Sequence, residues 1–125
     1  MVESANDLLH GFERRIEEQL DRAERLKAAM NEVRVTAQSR QGDLQVTVDS
    51  TGALAGLRLS QESMRRSPQE LAGEILGVTR SAQASLADRM RQVTAEVLGR
   101  DSETARFVAD AYAEQFAPEQ RETPR

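Results

Sequence analysis

Residues 33–59, VRVTAQSRQGDLQVTVDSTGALAGLRL, constrain this chain more than any other stretch: apolar and polar residues alternate through three short runs separated by two glycine turns. The pattern predicts a three-stranded antiparallel meander with tight turns at Gln41-Gly42 and Thr51-Gly52. With two-residue loops, Val35 faces Val48, Ala37 faces Val46, Thr36 faces Thr47, Gln38 faces Gln45 and Arg34 faces Asp49. Across the second turn Val46 faces Leu57, Leu44 faces Leu59, Val48 faces Ala55 and Gln45 faces Arg58. Apolar residues meet apolar ones, and polar residues meet polar or oppositely charged ones. A slip of one residue would reverse every face, so the register is strongly specified. Leu54, opposite Asp49, is the one residue on the wrong side, and a glycine bulge would shift the pairing locally.

A three-stranded sheet with one apolar face needs a cover, and the flanking sequence supplies helices. From about Asn6 to Glu32, Leu9, Phe12, Ile16, Leu20, Ala23, Leu26 and Met30 recur at spacings of three and four, one stripe of an amphipathic helix. Ser4 and Asp7 make a capping pair, and Gly11 marks where the ordered part begins. Ser67-Pro68-Gln69-Glu70 is a helix start, and Leu71, Ile75, Val78, Ala82, Leu86, Met90, Val93 and Val97 carry the second helix to Gly99. At 1.5 Å per residue it is about 45 Å long, roughly twice the sheet, so its far half must pack on the first helix, a second copy, or both. Asp101 caps a short third helix whose Ala105, Val108, Tyr112 and Phe116 share a face. The fold expected is α+β: long helix, meander, long helix, short C-terminal helix, with residues 1–100 as the main domain and 101–116 as an amphipathic extension. Residues 117–125, polar and rich in Pro and Glu, read as a disordered tail. Only four aromatics are present, so the core is thin and aliphatic, and chains of this kind commonly complete themselves by pairing.

Chemistry is sparse. There is no Cys, and His10 is the one His, on a helix face without a partner for acid–base or nucleophilic work. No nucleophile elbow or phosphate-cradling glycine loop is present, and the glycines at the two hairpin turns, Gly42 and Gly52, are explained by those turns. The expectation is a protein that is not an enzyme and has no cofactor and no metal. Glu13, Glu17, Asp21 and Glu24 form an acidic flank that reads as a solvated helix face rather than a cation site. Gly73, Gly77 and Ala84 lie away from the Leu stripe and read as tolerated surface positions. The opening residues carry neither a basic lead nor an apolar run, and no segment could span a membrane, so a cytoplasmic location is expected.

The net charge of −4 argues against a simply basic nucleic-acid binder, but the charge is uneven. Residues 1–32 hold eight acids and five bases, 33–66 three acids and five bases, 67–100 four of each, and 101–125 six acids and three bases. The sheet and the loop after it are the one net-positive region. Candidate phosphate contacts are Arg65 and Arg66 before a helix N-terminus, Arg15 and Arg22 on the outer face of the first helix, and Arg80 and Arg91 on that of the second. Composition alone reads the same arginines as solubilising charges.

A long helix, then DLQVTVDSTGALAGLRLSQESM, then SPQELAGEILGVTRSAQASLADRM resembles the YbaB/EbfC family of bacterial nucleoid-associated proteins over roughly residues 5–98, most specifically in the V-T-V-D-x-T-G-x-L-x-G-L-x-L-S run at 46–60. The Arg- and Ala-rich texture is similar to actinobacterial members. The resemblance implies an intertwined homodimer with protruding helical arms that binds double-stranded DNA with low sequence specificity, at the nucleoid. It transfers no binding residue, because no contact motif matches position by position. The chain departs from the family in lacking its Met- and Gln-rich first helix and its Gly/Pro/Phe-rich tail, and in carrying an acidic first helix and the 101–125 segment. Some actinobacterial relatives are associated with secretion systems, so a dimeric adaptor that binds another protein, for instance through 101–116, is the competing expectation.

Overall fold

The computed structural model describes residues 2–116. Helix α1 spans Val2–Asn31 and leads to strands β1 (Val35–Gln38), β2 (Leu44–Val48) and β3 (Leu54–Leu59). A 3-10 turn at Glu62–Arg65 precedes α2 (Pro68–Leu98), and α3 (Glu103–Gln115) follows. The sheet order is β1-β2-β3, antiparallel throughout. This is the α+β architecture the hydrophobic periods predict. The expected tail, 117–125, lies outside the described residues.

The first hairpin keeps the expected register, with Val35 opposite Val48 and Gln38 opposite Gln45. Its turn is one residue earlier than expected: the Gly42 N–H donates to the Ser39 carbonyl at 2.9 Å. The second hairpin differs. Asp49 and Gly52 close a turn at 2.9 Å, and Asp49 N–H donates to Ala53 O, so three residues, not two, form the loop, with Gly52 at φ +88°. A register shift between Thr47 and Val48 then pairs Val48 with Leu54 instead of Ala55. The shift removes the mismatch in the sequence reading, because Leu54 now shares the apolar face with Leu57 and Leu59.

Helix α2 lies over β1 and β2. Leu44, Val46 and Val48 are buried against its Val78 and Ala82, with Val35, Ala37, Leu71 and Ile75 at the margin. Each fully buried aliphatic side chain contributes roughly 1.5–3 kcal/mol. The start of α2 is fixed by a capping box: the Glu70 N–H donates to Ser67 Oγ and the Ser67 N–H to Glu70 Oε1. A second cluster, Val33, Leu86, Met90 and Val93, joins the far half of α2 to Leu26, Ala29 and Met30 of α1 and to Val108, Tyr112 and Phe116 of α3. The far half of α2 is thus sheltered within the chain, and its length alone does not demand a second copy.

Other expectations need correcting in detail. Helix α1 begins at Val2 and runs through Gly11 unbroken, and the α3 cap is Ser102, whose Oγ accepts from Ala105 N–H, rather than Asp101. The α3 face is spent inside the chain. Tyr112 Oη donates to Ser50 O at 3.0 Å, burial raises the Tyr112 pKa, and Phe116 packs on the β2–β3 turn so closely that a Cβ at Gly52 would run into its ring. Gly52→Ala therefore meets both a positive φ and an occupied space, and urea denaturation should show a loss of about 1–3 kcal/mol.

Candidate nucleic-acid interface

Gln19, Arg22, Ala23 and Leu26 sit beside Leu98 and Ser102, so α1 runs antiparallel to α2. Its residues before Gln19 extend beyond the end of α2 by about 25 Å at 1.5 Å per residue. Arg15 is exposed on this arm and Arg22 on the part of α1 beside the end of α2, among more acids than bases. Arg80 is exposed on the side of α2 away from the sheet. Arg91, also exposed, meets Asp88 one turn earlier at 3.4 Å and shares the α2–α3 groove with Arg106 and Asp110. The six candidates are therefore spread over three elements and form no single patch.

The structure also separates Arg65 from Arg66. Arg65 ends the 3-10 turn, exposed. Arg66 turns inward, where Nη2 meets Asp43 Oδ2 at 2.9 Å and donates to Gln41 Oε1 at 2.7 Å, while Nη1 meets Glu74 Oε1 at 3.1 Å. One guanidinium thereby ties the β1–β2 turn to α2. Arg66 Nη1 and Glu74 Oε1 have no hydrogen bond of their own, so each depends on the other's charge; removing one strands a buried charge. Arg66 is consequently a clamp within the fold, which no motif in the sequence signalled because its partners lie 23 and 8 positions away.

Two carboxylates near the sheet are likewise engaged. Asp43 accepts from Ser39 Oγ at 2.7 Å; that bond first, and the Arg66 guanidinium beside it, hold the carboxyl below its usual range against the opposing effect of burial. Asp49 Oδ1 accepts from Thr51 Oγ1 at 2.6 Å, Thr51 N–H at 2.9 Å and Ala53 N–H at 3.1 Å, and these bonds, those of Thr51 foremost, lower its pKa too. Three arginines outside the six candidates, Arg34, Arg40 and Arg58, are all exposed on or beside the sheet. The pairing of Gln45 with Arg58 was the signal that could have placed Arg58 on the face opposite the core.

A family model for the YbaB/EbfC DNA-binding family matches residues 8–101. The chain belongs to this family. The match covers α1 from Leu8 onward, the meander and all of α2, and stops just before α3. The YbaB/EbfC family is one of DNA-binding proteins rather than enzymes, so DNA is the ligand the fold must accommodate. No curated protein and no solved structure matches the chain. No helix among the described residues is long and apolar enough to cross a membrane.

The depressed carboxyls set a pH dependence. Groups whose folded pKa lies below the unfolded value stabilise fully above the ordinary carboxylate range and lose that contribution as pH falls through it. The melting temperature should hold above about pH 5 and drop towards pH 3, and in Asp43→Asn the drop should be shallower.

Proposed function

We propose that the protein is a nucleoid-associated homodimer of the cytoplasm that binds duplex DNA with low sequence specificity through arginine–phosphate contacts. The observation that carries this reading is the family match across 8–101. Of the six candidate arginines, Arg15, Arg22, Arg65 and Arg80 are exposed with no side-chain partner among the described residues, while Arg66 serves the fold. Their dispersal over separate elements suits contacts to the phosphate backbone, which position a protein without reading sequence. It does not resemble a single groove-reading helix. With a net charge of −4, binding has to rest on local patches doubled by symmetry.

Support for the dimer comes from β3. Its outer edge is unpaired among the described residues, and α2 stops short of covering it. Leu54, Leu57 and Leu59 remain 50%, 41% and 38% exposed, and Met64 on the adjoining 3-10 turn is exposed as well. An open apolar edge strand invites pairing with another chain, and a two-fold axis perpendicular to the sheet, between β3 and its copy, would pair the strands antiparallel, bury the seam and join two sheets.

A second reading, an adaptor that binds another protein, is favoured by α1, whose Leu9, Phe12, Ile16 and Leu20 are all exposed. The C-terminal helix lends it less, because its apolar face packs on α2. Titrating a mixed-sequence duplex at several salt concentrations separates the two. Phosphate contacts predict a linear fall of log affinity with log salt, about 0.9 per phosphate neutralised; an adaptor gives no binding even at low salt. Light scattering should report twice the 13.9 kDa chain mass for the wild type, and the single-chain mass for Leu57→Glu.

A further inference from the structure

The face of the sheet turned away from α2 differs in character from every helical surface of the molecule. Because Leu44, Val46 and Val48 point into the core, the alternating Gln45 and Thr47 point outward. The register aligns them in two cross-strand rows, Thr36–Thr47–Gly56 and Gln38–Gln45–Arg58. Five of these six positions carry a hydrogen-bonding side chain, one carries a positive charge, and none carries a carboxylate. Thr36 and Thr47 share a hydrogen bond at 2.8 Å, which links the two strands at the centre of the face.

The acids that flank the rows on β2 are spoken for. Asp43 is held by Ser39 and Arg66, and Asp49 by its own turn. The charge of Asp43 is offset by Arg66, whereas Asp49 stays ionised at the end of β2, outside the two rows, with Arg34 as its nearest positive charge. Arg34 and Arg40 add positive charge at the two ends of β1. The α1 arm, by contrast, carries its bases among a majority of acids.

Gly56 needs no glycine for its backbone, since the positive-φ glycines are Gly42, Gly52 and Gly99. Packing does not require it either, because a Cβ there would meet only Thr47, at an ordinary 3.5 Å. Its effect is to leave a bare stretch of strand between Thr47 and Arg58.

We propose that this open sheet face is a DNA-contacting surface, with Arg58 as its charged anchor and, as neutral donors to phosphate oxygens, Gln38, Gln45 and the one hydroxyl of the Thr36–Thr47 pair whose hydrogen is not taken up between them. The inference rests on the DNA-binding reading and adds to it a surface that none of the six candidate arginines occupies. Thr, Gln and Arg are side chains that commonly contact the DNA backbone. Outer strands about 10 Å apart make the face too broad for the roughly 6 Å minor groove, so it lies on the backbone and binds without reading bases. In a dimer joined through β3 the two faces become one continuous surface.

Fluorescence anisotropy with a mixed-sequence duplex tests this on the full chain. Arg58→Glu should weaken binding about tenfold or more at low salt. Gly56→Arg adds a base to the bare stretch and should tighten binding and steepen the salt dependence by about one unit per protomer; a gain of this kind cannot come from misfolding. Arg15→Glu, on the arm, serves as comparison. If the wild type binds while both sheet variants keep its affinity, or if Arg15→Glu alone weakens binding, the sheet face is not the DNA surface and the proposal falls. If the wild type fails to bind at low salt, the DNA-binding reading falls, and this surface with it.

Discussion

The burial of Leu44, Val46 and Val48 beneath α2 is the contact on which the rest of the molecule depends. It fixes which face of the sheet is inside, and thereby turns Gln45, Thr47 and Arg58 to the outside. A single helix about 10 Å in diameter cannot cover three strands fully. It lies over β1 and β2, and β3 is left with its leucines half uncovered. One packing choice therefore produces both surfaces of interest: a polar sheet face and an apolar edge.

Charge is distributed with similar economy. The sheet region is the one part of the chain where bases exceed acids, and two of its three acids are consumed by local structure. Asp49 stabilises the turn that makes the bulge, and Asp43 helps hold Arg66 against α2. The cost is that Arg66, which looks free in the sequence, is unavailable for a ligand. A chain with a net negative total can present a locally positive region in this way, because the sign of a patch depends on the balance of bases and acids within it and not on the chain's total.

The α3 helix changes the meaning of the C-terminal segment. The family match ends at residue 101, yet α3 belongs to the same core as α2 through Val108, Tyr112 and Phe116. Phe116 over Gly52 and Tyr112 bonded to Ser50 tie it to the far turn of the meander. It braces the second hairpin and the far half of α2, which would otherwise expose Leu86, Met90 and Val93. The long apolar surface left without a cover is instead the α1 arm.

The sequence by itself determined the elements, their order and the register of the first hairpin, since a period of two and a period of 3.6 read directly from side-chain alternation and each error of one residue inverts a whole face. It also marked the stop at Gly99 and the capping box at Ser67, where local backbone chemistry decides. Only the tertiary structure decided which arginines are free, because the partners of Arg66 come from a turn and a helix distant in sequence. The same holds for Leu54, whose side was set by a bulge that the packing of β3 against β2 selects. It holds again for the apolar faces: periodicity shows that α1, α2 and α3 each have one, but which of them cover each other follows from how three helices share one small sheet.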